Sequence, residues 1–460
     1  MSRKISLFSL VMLIVASIDS IRNLPTAALF GSSLLFFFIL AAIMFLLPTA
    51  FIAAELTSTF PEKGGVYYWV YRAFGEKTAL LAIWMQWINT MVWYPTILSF
   101  IAGTAAYLIH PELAQNKLYL IGFIIGIFWT LTFLNFKGMR FSSHINSFCG
   151  IIGTVIPMSL VIILGALWLF SGQPLQMTLS PDTLLPSFTN TTSWISLIAI
   201  MASFLGMELA GVHVTDIKNP QKNFPKAVLI ASFFILITML FGSLAIAMVI
   251  PSTEINLLSG IMQVFQQFFT TFHLSFFSPI LSIMIVIGLM GSLINWLISP
   301  AKGLLHAAEF GYLPPFFTRK NSHGVPTRIL VVQATLVTLL CFVFLLVPSI
   351  NGFYWFLTAL STGLYMIMYV LMFLSALRLH HTHKTRLPAF KIPGNTLGMW
   401  ITALVGILGC LLTITVSFLP PDNIEVGSSL RYISMIACAN ILAIIPVYML
   451  CRYKRRKAVS

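Results

Sequence analysis

Apolar residues run along this chain in blocks of about twenty, almost uninterrupted in stretches such as 34–47 and 228–250. A helix of that length crosses a hydrocarbon core of about 30 Å. In lipid every backbone N–H and C=O must be satisfied inside the protein, which leaves helices or closed barrels. Barrel strands would alternate polar and apolar residues, and these runs do not. The pattern predicts an all-α membrane protein of about twelve spans: 6–31, 33–56, 78–108, 118–135, 144–170, 194–215, 227–250, 276–301, 328–348, 354–377, 397–419 and 431–451. Arg3 and Lys4 before the first block suggest a signal peptide, but Asp19 and Arg22 interrupt it and another span follows at once. It reads as a retained first span. Two outer loops, 171–193 and 251–275, are long enough to fold. In the second, Pro251 to Glu254 looks like a helix start, with a short amphipathic helix over 255–269. A third helix is expected on the inner side over 304–310, as an interfacial helix or a gate.

Two spans carry polar groups where lipid tolerates them least; an ionisable group at mid-span costs roughly 2.5–3.5 kcal/mol. The first is Ser17-Ile18-Asp19-Ser20-Ile21-Arg22-Asn23-Leu24-Pro25. Pro25 removes a helical hydrogen bond and clashes with the preceding turn, so an unbroken helix is not expected. The plainer alternative is that Asp19 and Arg22, three residues apart, pair and only hold the bundle together. The second runs from Ser203 to His213, with Gly206 and Gly211 flanking Glu208. Glu208 suits a substrate-amine partner or a proton carrier, with Asp19 as a second proton-coupling candidate; the alternative is a protonated, hydrogen-bonded core residue.

Interrupted segments at matching positions of two halves point to an inverted-repeat transporter. Five spans apart is an odd number, so the second repeat is inverted. The expected units are 1–170 and 194–378, with trailing spans over 397–452. Unwound half-helices offer N–H ends to a carboxylate and C=O ends to a cation, which suits a zwitterionic amino acid. The candidate substrate site is Asp19, Ser20, Arg22, Asn23, Ser203, Gly206 and Glu208. Ser292 and Trp296 join it from the eighth span, and Tyr365 and Tyr369 from one face of the tenth. Trp93 and Asn295 are further candidates; packing alone would also explain these two, Ser292 and Trp296, and belt or core aromatics are the alternative for Tyr365 and Tyr369.

Composition and charge narrow the class. The 460 residues are 58% hydrophobic and 8% charged, far from the roughly 25% charged of a soluble domain. A net charge of +14 would suit nucleic acid, but its placement does not. With the N-terminus in the cytoplasm, 23 of the 26 Lys and Arg residues fall on inner segments; Lys117 and Arg431 are outside and Arg22 alone is within a span. This positive-inside bias predicts an inner-membrane protein with both termini cytoplasmic and no nucleic-acid partner. Cys149, Cys341, Cys410, Cys438 and Cys451 read as small core hydrophobes, with no disulfide or metal spacing. His380, His381 and His383 read as part of a solvated basic loop. No P-loop, G-x-S-x-G or HExxH motif occurs, so neither an enzyme nor a cofactor is expected. The expected partners are the bilayer and small amino acids. A proton-coupled permease for cationic or neutral amino acids or amines is the alternative; a channel or transporter-like sensor fits the broken spans less well.

Specific stretches add a resemblance. Phe60-Pro61-Glu62-Lys63-Gly64-Gly65-Val66-Tyr67 is similar to the Pro-x-x-Gly-Gly-x-Tyr/Phe signature of the amino acid–polyamine–organocation superfamily, and Glu55 matches the acidic residue ending the second span. The stretches 246–257 (Ile-Ala-Met-Val-Ile-Pro-Ser-Thr-Glu-Ile-Asn-Leu) and 416–424 (Val-Ser-Phe-Leu-Pro-Pro-Asp-Asn-Ile) resemble its glutamate/γ-aminobutyrate antiporter branch. The resemblance covers nearly the whole chain. It implies a five-plus-five inverted repeat with two trailing spans, and amino-acid exchange by alternating access. By motif, Glu208 matches the substrate-site glutamate, and Tyr365 and Tyr369 the paired tyrosines of the tenth span. Departures from the pattern are Arg22 where the antiporter has a tyrosine nearby, Ser292 for an acidic residue, Ser147 for a lysine of some relatives, and the end at Ser460 without the antiporter's long tail.

Overall fold

A computed structural model describes residues 5–60, 65–137, 151–178, 180–186, 194–209, 217–345, 349–382, 390–421 and 424–459. Residues 61–64 of the signature, Ser147, Cys149, the stretch 210–213 with Gly211 and His213, His383 and the Asn295 side chain lie outside the described residues.

The described chain is helical throughout, with one isolated bridge between Ile5 and Ile217. In chain order the helices used below are α1 (Leu7–Ile18), α2 (Asn23–Ala28), α3 (Gly31–Thr59), α4 (Gly65–Phe74), α5 (Glu76–Ala106), α6 (Lys117–Asn135), α7 (Ile152–Phe170), α8 (Ser196–Ala202), α9 (Pro220–Val249), α10 (Gly260–Thr271), α11 (Ser278–Glu309), α12 (Thr327–Phe342), α13 (Ile350–Thr382), α14 (Asn395–Val416) and α15 (Ser429–Val459). Eight helical stretches are long and apolar enough to cross a membrane: α3, α6, α7, α9, α11 with the turn before it, α13, α14 and most of α15. α5 is 31 residues long but carries Gln86, Asn89, Thr90, Thr96 and Ser99 on buried positions. It is polar because it lines the interior.

The first span is broken as its sequence suggested. α1 stops at Ile18 and α2 restarts at Asn23. All six residues of α2 are buried. Small residues let its neighbours come close: a Cβ on Gly242 of α9 would lie 2.9 Å from Leu24, and one on Gly260 of α10 would lie 2.9 Å from Pro25. At the other end of the span the Lys218 N–H donates to the Ile5 carbonyl at 3.0 Å. That bond ties the chain entering the first span to the chain leaving the sixth.

Three local expectations change. The amphipathic helix in 251–275 starts at Gly260, not near Ile255, because the Asn256 carboxamide accepts the Leu258 and Ser259 N–H groups at 2.8 and 3.1 Å and holds a turn there. The segment 304–310 is no separate helix. α11 continues through Pro300 to Glu309. Pro300 has no N–H for the Trp296 carbonyl, and the Tyr94 hydroxyl donates to that carbonyl instead at 2.9 Å. His380 is not in a solvated loop: α13 runs on to Thr382 and places His380 Nδ1 3.2 Å from the buried Glu55 carboxylate, which also accepts the Ile392 N–H at 2.8 Å. Cys341 and Cys410 are buried as expected, whereas Cys438 is exposed on α15, which packs little of its surface.

Close backbone approach also joins α7 to α11. A Cβ on Gly153 would lie 2.1 Å from Gly288 Cα, with no flexible side chain to give way. Small residues at such crossings are how membrane helices gain van der Waals contact. Gly153→Val should therefore destabilise by about 1–3 kcal/mol through overpacking. A lower melting temperature in detergent would show it; an unchanged melt would refute the contact.

Candidate functional site

The break in the first span leaves its backbone open. Asn23 and Leu24 N–H groups close tight turns onto Ser20 and Ile21 carbonyls at 3.0 and 3.3 Å. Among the described residues the N–H groups of Ser20, Ile21 and Arg22 have no partner. In the sixth span α8 ends at Ala202 and the chain turns through 203–206, with Gly206 at φ +110°, a conformation glycine adopts without steric cost. The Ser203 and Phe204 N–H groups bond back to Ile200 and Met201 at 3.0 and 3.1 Å, and the carbonyls of Ser203, Phe204 and Leu205 accept no hydrogen bond among the described residues. One interrupted helix thus offers donors and the other acceptors.

A cavity lies where the two breaks meet. Asp19, Ser20, Arg22 and Asn23 line it from the first span, Ala202 and Leu205 from the sixth, Trp93 from α5, Ser292 and Trp296 from α11, and Tyr365 from α13. Arg22, only 4% exposed, is held from three sides. Its guanidinium donates to Thr96 Oγ1 at 2.9 Å and to the Tyr354 hydroxyl at 3.2 Å, and sits 5.5 Å from the centre of the Trp93 ring. Trp93 in turn lies 5.0 Å from Trp296, which backs the ring that the cation faces. Asp19, 3% exposed, accepts a hydrogen bond from Thr238 at 3.0 Å on one oxygen. Its other oxygen, the Ser20 hydroxyl and Arg22 Nε have no partner among the described residues. No Asp19–Arg22 ion pair forms among them: unwinding turns each side chain to a different helix.

Glu208 sits one layer behind this cavity and does not line it. It is 1% exposed. The Tyr365 hydroxyl donates to one carboxylate oxygen and the Tyr369 hydroxyl to the other, and Gln86 adds a donor at 3.2 Å. Tyr369 also accepts the Gly206 N–H at 2.8 Å, which pins the broken backbone of the sixth span to α13. Tyr365 touches both Glu208 and the cavity and so connects them. Ser203 turns away, with its hydroxyl on the Ala199 carbonyl at 3.0 Å. The cavity thus gathers Asp19, Ser20, Arg22, Asn23, Ser292, Trp296 and Tyr365, while Ser203, Gly206, Glu208 and Tyr369 lie outside its lining.

Reading the sequence span by span passed over Asn89, Thr358, Ser361 and Thr362, which also line the cavity. A signal was present. Thr358, Ser361, Thr362 and Tyr365 recur at i, i+3, i+4 and i+7, a polar stripe on one helix face. Gln86, Asn89, Trp93 and Thr96 follow at i, i+3, i+7 and i+10 on α5, again along one helix face.

The comparisons with known proteins agree with this geometry. A family model described as amino acid permease matches residues 5–442. The chain belongs to the amino acid permease family. It is 39% identical to an uncharacterised transporter of Legionella pneumophila over 426 residues, 92% of each chain. It is 29% identical to a glutamate/γ-aminobutyrate antiporter of Lactococcus lactis, over 94% of this chain and 86% of the relative. A probable agmatine/putrescine antiporter of the same species is 25% identical over 85% of this chain and 83% of its own. Members of such a family are transporters, not enzymes.

The two tyrosines differ in what they leave behind when truncated. Tyr369→Phe strands the buried Gly206 N–H and one oxygen of Glu208, a loss of about 1–3 kcal/mol per orphaned group. Tyr365→Phe leaves the Gln86 donor on Glu208. Thermal melts in detergent should rank Tyr369→Phe as the less stable variant; the reverse order would contradict the assigned roles.

Proposed function

We propose that the chain is an amino acid antiporter of glutamate/γ-aminobutyrate type that works by alternating access in the bacterial inner membrane. The observation that carries this is the cavity between two interrupted helices, lined by a buried cation, Arg22, and a buried carboxylate, Asp19. Substrate carboxylate would meet Arg22 and the open N–H groups of Ser20–Arg22. The substrate ammonium would meet Asp19 and the open carbonyls of Ser203–Leu205. Trp93 and Trp296 would cover the apolar carbons. The glutamate/γ-aminobutyrate antiporter relative, at 29% identity, supports the substrate class.

The proposed frame has twelve spans with both ends cytoplasmic. The eight long apolar helices are joined by α5, the broken α1–α2 pair, the segment 194–209 and α12. Spans 1–5 (1–170) and 6–10 (194–378) would form the inverted repeats, with 397–452 trailing. The Ile5–Ile217 bridge supports a joint motion of spans one and six. Glu208 would act through Tyr365 and Tyr369, as a proton-coupling and positioning group rather than a direct ligand; Asp19 would be the second proton site.

A second reading has its own support. Asp19 keeps one oxygen unpartnered in the cavity, and one relative is a probable agmatine/putrescine antiporter, so amine or cationic substrates are the alternative.

Proteoliposomes decide between them. With glutamate or γ-aminobutyrate inside, labelled glutamate should enter by exchange, and liposomes without internal substrate should take up little. Arg22→Gln removes a charge-assisted contact of about 1.5–3 kcal/mol, so glutamate exchange should fall roughly 10- to 100-fold. Equal uptake with and without internal substrate would sink exchange. Exchange by Arg22→Gln at the native rate would remove Arg22 from the site. Preference for agmatine or putrescine would select the second reading.

A further inference from the structure

The last helix, α15, is the least embedded of the long apolar helices: only 11% of its most apolar stretch is buried. Its first turn is held by the buried Tyr432, whose hydroxyl donates to the Ser417 carbonyl at 3.4 Å, and its second half by two further contacts. The Trp84 indole N–H donates to the Ala443 carbonyl at 2.8 Å, and Lys454 pairs with Glu76, with its ammonium 4.1 Å from the Tyr312 ring centre. Between these fixtures a groove opens along the seam of α15 and α5. Leu81, Ile444, Val447 and Tyr448 form its walls, and Lys77, Arg452 and Arg455 stand at its rim.

The charges here are uncommitted. Glu76, the acid beside Lys77, is taken by Lys454 and by the Tyr312 hydroxyl at 3.0 Å. Lys77, Arg452 and Arg455 are exposed and have no ion pair or hydrogen bond among the described residues. A groove lined by apolar side chains together with three uncommitted cations matches one chemistry: a chain-bearing anion. A soluble anion would leave the slot unfilled. A zwitterionic lipid would return a positive group to a positive rim.

We propose that this groove holds an anionic phospholipid, with its phosphate at Lys77, Arg452 and Arg455 and an acyl chain along Leu81, Ile444 and Val447. In the orientation argued above the rim faces the cytoplasmic leaflet, where basic pockets between spans recognise anionic head groups. The lipid would add packing to a helix that the protein itself leaves largely uncovered.

The test uses the purified full chain in detergent, titrated with dioleoyl phosphatidylglycerol or dioleoyl phosphatidylcholine and read by native mass spectrometry. Phosphatidylglycerol should bind in preference to phosphatidylcholine. The combined variant Lys77→Gln, Arg452→Gln, Arg455→Gln should weaken that binding at least ~10-fold. A matched variant, Lys218→Gln, Lys222→Gln, Lys226→Gln, removes three exposed lysines away from the groove and should leave it unchanged. Glycerol 1-phosphate should not displace the lipid. No preference for phosphatidylglycerol, an undiminished affinity in the groove variant, or an equal loss in both variants would overturn the proposal; displacement by glycerol 1-phosphate would reduce it to a free-phosphate site and overturn it likewise.

Discussion

Lipid cannot hydrogen-bond a peptide group, and the organisation of this molecule follows from that. Each open N–H or C=O at membrane depth must be met by protein or by a ligand, since leaving it bare costs several kcal/mol. The chain could avoid the problem with unbroken helices, and in its long apolar spans it does. Among the described residues it breaks the rule at 19–22 and 203–206, and both places line one cavity. Several polar groups of the interior are arranged around them. α5 and α13 face the breaks with amides and hydroxyls, and glycines on α9 and α10 let their neighbours close over α2.

Within that polar region two layers behave differently. Glu208 is enclosed by three donors and carries no open valence toward the cavity. It holds the sixth-span break against α13, with Tyr369 bonded to both the carboxylate and the Gly206 N–H. Asp19 and Arg22 are anchored by Thr238, Thr96 and Tyr354, yet each keeps an atom unspent. A fully satisfied network specifies a structure, whereas a partly satisfied one at a cavity specifies a ligand. The motif match thus singled out Glu208, which lies behind the cavity, while the departure at Arg22 marks a residue that lines it.

Some of this was legible in the residues and some was not. Span existence, the break before Pro25 and the polarity around Glu208 follow from short-range rules: apolar length, the missing proline N–H, the cost of a charge in lipid. The contacts of each charge do not. Asp19 meets Thr238 from 219 residues away and Arg22 meets Tyr354 from 332 residues away, and no local pattern announces such pairs. Helix ends were misjudged where a side chain far in sequence took over a backbone role. Tyr94 caps the carbonyl that Pro300 frees, so α11 continues where a stop looked natural. Glu55 receives His380 and Ile392, so α13 outlasts its apolar block.

The same unspent atoms bear on why such a carrier would exchange rather than equilibrate. A buried charge is tolerable when it is paired and expensive when it is not. To reorient without substrate, the protein would have to carry an open carboxylate oxygen and an open guanidinium nitrogen through a dry interior. A zwitterion would meet both at once, its carboxylate at Arg22 and its ammonium at Asp19, with no net charge added. The barrier to reorientation is then lower with substrate bound than without, and that difference alone couples the exit of one amino acid to the entry of another. Glutamate at neutral pH would bring a second carboxylate, and that extra negative charge would have to be offset some other way. A proton on Asp19 would do so, since the Thr238 hydroxyl engages one oxygen of that carboxyl and the other has no partner among the described residues.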